Sequence, residues 1–427
     1  MSDDQFDAIV VGAGCAGAVA AYRLASAGRS VLVVERGNYA GAKNMTGGRI
    51  YTHALARVFP DFEGSAPLQR RITHEKISMA APDALFTMDF TADELRESGK
   101  DSYAVLRGPF DQWLAERAEE AGADFIYGIA VEDLIVRDGR VCGVVAGGDE
   151  VEARITVLAD GANSLLAQKA GLADDVPLPC QMAVGAKETI ALPPSVIEDR
   201  FLCAPGEGAA WMFAGDCTKG RVGGGFLYTN DDSISLGLVA TLSDLAAGDV
   251  PIYQMLEDFK QRADIAPLVK GGELVEYSGH LVPEGGLAMV PRLYGDGVLV
   301  CGDAAMLCMN LGYSVRGMDF AVSSGDLAAD AVMRALEADD VSAAQLAAYE
   351  QLLDGCYVLQ DLKRFRRFPR YMEETTRIFN EYPAMARDIM LNLFKVDGHP
   401  QARIKDKLLG PLKRVGLWRV AQDGRKG

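Results

Sequence analysis

Three glycines and an acid near the N-terminus, Gly12, Gly14, Gly17 and Glu35, have the types and the spacing to hold a dinucleotide. They begin in the run Gly12-Ala13-Gly14-Cys15-Ala16-Gly17. Glycine at 12 permits a tight turn, glycine at 14 lets backbone N–H groups approach a pyrophosphate, and glycine at 17 lets a helix pack closely on a strand. Glu35 follows 18 residues after Gly17, where a carboxylate accepts hydrogen bonds from an adenosine ribose and disfavours a 2′-phosphate. FAD and NAD both satisfy this pattern.

Two further carboxylates stand at the ends of apolar runs. Residues 155–158 lead into Ala159-Asp160-Gly161-Ala162-Asn163-Ser164, and residues 297–301 lead into Gly302-Asp303-Ala304-Ala305. Alone, Asp303 reads equally well as a helix N-cap. Arg107 precedes a helical face made of Phe110, Leu114, Ala118 and Ala121, and by itself reads as a surface arginine beside a helix start. No side-chain nucleophile, triad or metal cluster is legible. The four histidines, 53, 74, 280 and 399, pair with no Ser or Cys in a motif and read as ordinary surface or core residues. The redox or group-transfer chemistry is therefore expected from a bound cofactor.

The elements that must position these residues follow from periodicity. Residues 6–11 (FDAIVV) form a short apolar run of the kind found in buried parallel strands. The glycine turn, a helix of strong formers, and a second run at 30–34 complete a strand–turn–helix–strand unit ending in Glu35. After Asp303 comes a loop with Gly312 and Gly317, then a long Ala-rich helix. Between 180 and 285 the chain offers short strand candidates at Phe201, 209–214, 222–229 and 234–240, the last two flanking an Asn230-Asp231-Asp232 turn. From Ala344 onward it reads as helical, with cations and aromatics interleaved in 363–370. The expected class is α/β, α+β overall. A Rossmann-like, discontinuous nucleotide-binding domain (1–78, 102–175, 286–345) is interleaved with an antiparallel-sheet domain (79–101, 180–285) and followed by a helical, basic region (346–427).

Composition bounds the remaining possibilities. With 427 residues, 49% hydrophobic and 24% charged, the chain is ordinary globular material for two or three domains. Its net charge of −17 is uneven, since residues 363–427 carry 16 Lys+Arg against 7 Asp+Glu. The basic tail is expected either to meet a membrane surface or acidic partner, or to be a solvated face. Nucleic acid is a poor fit to so acidic a chain. Eight cysteines without C-x2-C spacing point to free thiols in a reducing compartment. The N-terminus is acidic where a signal peptide needs basic residues, and residues 8–24 are broken by Gly12, Gly14, Gly17 and Arg23. A cytoplasmic protein is expected.

The nucleotide turn, ADGANS and GDAA, in this order, resemble the para-hydroxybenzoate-hydroxylase-type FAD fold. That resemblance implies FAD, with Asp303 on the ribityl chain and the helix that begins near Gly312–Gly317 aimed at the flavin's pyrimidine edge. Across nearly the whole chain, GAKNMTGGRIY (41–51), LARVFPDF, VIEDRF, GGGFLYTND, LVEYSGHLVPEGG and MNLGYSVRGMD are similar to the FixC branch of the electron-transfer-flavoprotein:quinone oxidoreductases. The family reading implies an FAD held by Gly12, Ala13, Gly14, Cys15, Ala16, Gly17, Glu35, Arg36, Lys43, Asn44, Gly47, Gly48, Arg107, Val131, Asp160, Gly161, Gly302, Asp303 and Gly312. It also implies the partners: a heterodimeric, FixA/FixB-like electron-transfer flavoprotein, membrane quinone, and a small FixX-like ferredoxin-type iron–sulfur subunit. The larger relatives carry cluster-ligating cysteines in a C-terminal domain, whereas the last cysteine here is Cys356. Such assemblies attach peripherally to the cytoplasmic membrane, and some oxidise NADH and bifurcate electrons. Geranylgeranyl reductases and aromatic hydroxylases share the FAD motifs and supply the alternative activity. A fold-only subunit without FAD is a third reading.

Overall fold

Runs rich in Val and Ile become strands buried on both faces, and alternating runs become strands covered on one face. The computed structural model describes residues 5–44, 48–173 and 176–426 and contains both kinds. The first ten strands are β1 (Phe6–Val11), β2 (Val31–Glu35), β3 (Gly48–Tyr51), β4 (Arg71–Ala81), β5 (Ala84–Phe90), β6 (Ser102–Val105), β7 (Asp124–Tyr127), β8 (Val131–Arg137), β9 (Arg140–Ala146) and β10 (Asp149–Leu158). Seven more are β11 (Met182–Ala191), β12 (Glu207–Gly215), β13 (Gly223–Thr229), β14 (Ser233–Thr241), β15 (Glu273–Pro283), β16 (Tyr294–Gly295) and β17 (Val298–Val300). The helices that bear on the site are α1 (Cys15–Ser26), α2 (Arg107–Glu120), α3 (Pro194–Phe201), α4 (Ile252–Lys260) and α5 (Met318–Glu337).

The first sheet runs β16-β17-β10-β1-β2-β7, parallel from β17 to β7. Ala8 on β1 lies opposite both Val31 on β2 and Ile155 on β10, so the carboxyl ends of the three strands line up. Ligands of open parallel sheets bind at that edge. Helices α1 and α5 pack on one another through small residues. A Cβ at Gly325 would lie 2.2 Å from the Ala16 carbonyl oxygen, and one at Gly17 only 1.9 Å from the Gly12 carbonyl oxygen.

The second sheet runs β15-β11-β14-β13-β12-β4-β6-β3, with β5 paired to β4. It is antiparallel except for the parallel β4–β12 pair. One face packs against α4, where Ala186, Phe213, Leu236, Leu238 and Phe259 share a buried cluster and Lys260 reaches Glu188 at 2.9 Å. The opposite face carries Gly185, Lys187, Ser278 and His280.

Three sequence expectations need correction. Phe201 is not in a strand but ends helix α3, where Pro194 opens the first turn and Ile197 and Phe201 bury one face four residues apart. Residues 48–51, 71–78 and 102–105 hydrogen-bond into the second sheet, not the first, through β3–β6 and β4–β12 pairing. Such pairing is long-range and leaves no local trace. Arg107 opens α2 rather than preceding it. The Asn230–Asp232 hairpin turn is present between β13 and β14, with Thr229 opposite Ile234. Helices dominate the last 84 residues, including α6 (Tyr357–Arg364), α7 (Glu381–Phe394), α8 (Ile404–Val415) and α9 (Leu417–Lys426). No described helix is long and apolar enough to cross a membrane.

Candidate functional site

The glycine turn closes as its residue types require. Gly12 has φ +98°, and its N–H donates to the Val34 carbonyl at 2.9 Å. A Cβ there would sit 2.5 Å from the Ala159 carbonyl oxygen, so the turn is pressed against the ADGANS segment. Gly14 caps α1 with no side-chain hydrogen bond to its first N–H groups, which leaves them for an anion. Glu35 is nearly buried and accepts from Ala13 N at 2.9 Å and Gly37 N at 2.6 Å, so its carboxylate is fixed at the carboxyl end of β2.

These pieces form one wall of a cavity of about 500 Å³ between the two sheets. That is within the usual range for cofactor sites. Of the predicted residues, Gly12, Gly14, Cys15, Ala16, Glu35, Arg36, Lys43, Asn44, Arg107, Val131, Asp160, Gly161 and Asp303 line it. Ala13, Gly17, Gly48 and Gly302 do not. Ala13 and Gly17 shape the turn behind the wall, and Gly302 holds the GDAA turn through its N–H to Ser324 Oγ at 2.9 Å. Gly312 lies exposed outside the cavity, where its N–H donates to Asn310 Oδ1, and Gly317 at the start of α5 takes the wall position instead. Gly47 lies outside the described residues, as do Met45 and Thr46 of the same block.

Three features of the site were missed by sequence reasoning: one residue behind the cavity wall and two on it. Asp111 is fully buried on α2 and accepts from Arg107 Nε and Nη2, both at 2.8 Å, and from the Asn44 amide. The i,i+4 Arg–Asp spacing was the available signal. Arg107 Nη2 and Asn44 Nδ2 stand 3.7 and 3.9 Å from where a Cβ on Gly14 would be, so cationic and amide donors sit directly beside the glycine turn on the cavity wall. His280 reaches the wall from β15, and Met318 from the first turn of α5. No motif marks either.

The electrostatics suit a polar ligand. Burial pushes the Asp160 carboxyl up to about 6, and its Oδ1 has no hydrogen-bond partner. Burial also raises Asp303, with Arg107 and His280 opposing, and lowers His280. Cys15 is held as a thiol, chiefly by burial, which suits packing rather than nucleophilic work. FAD fits this donor set. The free α1 terminus and the Arg107 and Asn44 donors suit the pyrophosphate, Glu35 the adenosine ribose, and Asp303 with the α5 terminus the ribityl chain and flavin end. Bound there, FAD supplies the electron chemistry that no side chain offers.

Comparison with known proteins bears on the family and the fold. Residues 7–97 match the FAD dependent oxidoreductase family, and residues 368–427 match the ETF-QO/FixC family C-terminal domain. The chain is 50% identical over 429 residues to "Probable electron transfer flavoprotein-quinone oxidoreductase YdiS" of Escherichia coli strain K12, covering 100% of this chain and 99% of that one. It is 50% identical to Protein FixC of the same strain, with the same coverage. Among solved structures, a geranylgeranyl bacteriochlorophyll reductase-like protein from Thermoplasma acidophilum superposes with TM-score 0.73 at 18% identity, covering 99% of this chain and all of the other. The halogenase CndH gives 0.65 at 19%, covering 86% and 83%. These two likenesses establish the fold alone. Identity along the whole chain establishes the rest: this protein belongs to the FixC/YdiS-like electron transfer flavoprotein–quinone oxidoreductase family and is an FAD-dependent oxidoreductase.

Proposed function

We propose that the chain accepts electrons from a heterodimeric electron-transfer flavoprotein at its FAD and passes them to membrane quinone, with a small ferredoxin-like iron–sulfur subunit as relay. NADH oxidation and electron bifurcation, in assemblies that perform them, belong to the partner flavoprotein, and this chain serves the quinone branch.

The observation that carries this reading is a set of exposed apolar side chains on and between the C-terminal helices. Phe394, Val396, Ile404 and Trp418 are 79%, 82%, 69% and 73% exposed, among Lys395, Lys405, Lys413 and Arg414. Apolar groups held in water beside cations suit a lipid interface, with the aliphatic and aromatic groups in the acyl boundary and the cations at the headgroups. Quinone resides in that phase. The proposed location is therefore the cytoplasmic face of the membrane, attached peripherally.

The test is rapid mixing of the FAD-loaded chain with reduced electron-transfer flavoprotein, followed by a soluble quinone. Flavin reduction by the partner and reoxidation by quinone support the reading. Reduction by NADPH alone, with no response to quinone, would replace it with a reductase or hydroxylase activity.

A further inference from the structure

Lys187 is an unusual residue in this fold. It lies in the middle of β11 with its surface fully buried, and its ammonium nitrogen has no hydrogen-bond partner among the described residues. Buried lysines are rare without a partner, because taking the charge out of water is costly. Two other buried atoms nearby are also unpartnered, Thr189 Oγ1 and Ser278 Oγ.

Register places these groups together. On antiparallel β11 and β15, Lys187 lies opposite Ser278, Gly185 opposite His280, and Thr189 opposite Glu276. Opposite residues share a face with Cβ atoms about 4.5–5.5 Å apart. The even-numbered residues of β11 face α4, as the Glu188–Lys260 pair shows, so Lys187 points the other way. A polar strip therefore runs along one face of edge strand β15, from Glu276 past Ser278 and Lys187 to His280 in the cavity wall.

We propose that Lys187 delivers a proton for quinone reduction toward the flavin cavity, by way of Ser278 and His280, and is replenished through Glu276 at the sheet rim. The inference rests on the quinone-reduction reading above. Quinone becomes quinol by gaining two electrons, which originate at the reduced flavin, and two protons. Reduced FAD, when bound, would supply one of those protons along with the electrons. The other leaves the Lys187 ammonium, whose N–H bond breaks as a quinol O–H bond forms at the far end of the relay, and solvent returns a proton to the amine. Three unpartnered polar atoms in a row are what such a strip leaves for bridging waters to satisfy.

The charges around Lys187 are compatible with this task. Burial pulls it down to about 7, Glu276 opposes the shift, and Arg107 on α2 adds to it. His280 is likewise lowered by burial, with Asp303 opposing. Farther across the same face lie Tyr228, raised by burial, and the Arg49–Glu75 pair. A group that titrates near neutrality both gives and regains a proton readily.

The experiment uses the FAD-loaded full chain with its flavin pre-reduced, as wild type, Lys187→Met and Lys187→Arg, mixed with soluble quinone from pH 6 to 9. Arginine keeps a cation but does not release its proton. Both variants should be reoxidised at least tenfold more slowly and lose the wild-type pH dependence near 7. Both should keep the wild-type rate with ferricenium, which takes electrons without a proton. Melting of the flavin-free chain gives an independent readout. Wild type should gain stability as pH rises from about 7 to 10.5, where the unfolded lysine binds more protons than the folded one. Lys187→Met should lose that slope and melt several degrees higher at pH 7. Wild-type reoxidation rate and pH profile in both variants would overturn the role of Lys187 alone, as would a lowered melting point with the slope intact. A wild-type flavin that quinone does not reoxidise would overturn the quinone reading and the relay together.

Discussion

Asp111 grips Arg107 through two hydrogen bonds of 2.8 Å, one turn apart on α2, and the same carboxylate accepts from Asn44. The buried acid orients two donors that sit beside the glycine turn on the cavity wall. Parallel N–H···O bonds to a guanidinium fix its plane as well as its position.

Removing that acid should therefore cost both fold and cofactor. Asp111→Ala leaves the Arg107 cation without its partner, a change worth about 3–5 kcal/mol for a buried pair. FAD affinity should fall at least tenfold, measured by flavin fluorescence on dilution, and the melting temperature should drop. Unchanged FAD retention would show that Arg107 does not face the cofactor.

The glycine turn makes a sharper structural prediction. Gly17→Ala places a methyl 1.9 Å from the Gly12 carbonyl oxygen, so the turn must open and purified protein should carry little or no flavin. Gly64→Ala, where nothing lies within 4 Å, is the matched control and should remain yellow.

Asp160 offers a pH test on the flavin-free chain. Its folded value of about 6 lies above the ordinary carboxylate value of 3.8, so the folded state binds more protons between those pH values. Stability contributed by the protonated form is present at low pH and is lost as pH rises through about 6, by about 3 kcal/mol at full effect. Asp160→Asn should remove this downward slope in melting curves taken from pH 4 to 7. A variant with the wild-type slope would assign the pH dependence to other groups.

The exposed C-terminal face predicts lipid binding. Replacing Phe394, Val396 and Trp418 together by serine removes apolar groups worth about 1.5–3 kcal/mol each when fully buried. Flotation with anionic vesicles should be abolished while bound FAD is retained. Equal flotation of the triple variant would move the membrane contact elsewhere.

What was legible in the sequence follows from the range of the interactions. Gly12, Gly14, Gly17 and Glu35 sit within thirty residues of one another, and their roles are dictated by turn, helix and strand in sequence, so they could be read directly. Asp160 and Asp303 could be read as carboxylates ending apolar strands, although only the parallel β1–β10–β17 order brings them to one edge. His280 was not legible. It sits on an edge strand of the other sheet, and nothing local marks which face of that strand meets the cavity. Lys187 was hidden for the same reason, since a lysine in a strand reads as solvent-facing until the tertiary fold covers it. The glycine loop before α5 is legible as a loop, but which of its glycines, Gly312 or Gly317, reaches the wall depends on the turn, and the turn places Gly317 there.

The most direct test of the central claim is the flavin spectrum of the purified, FAD-loaded chain after mixing with reduced electron-transfer flavoprotein and then with a soluble quinone. The account predicts bleaching by the partner, none by NADH or NADPH alone, and recovery of the oxidised spectrum only when quinone is added. Bleaching by NADPH without the partner, and no recovery with quinone, would contradict it.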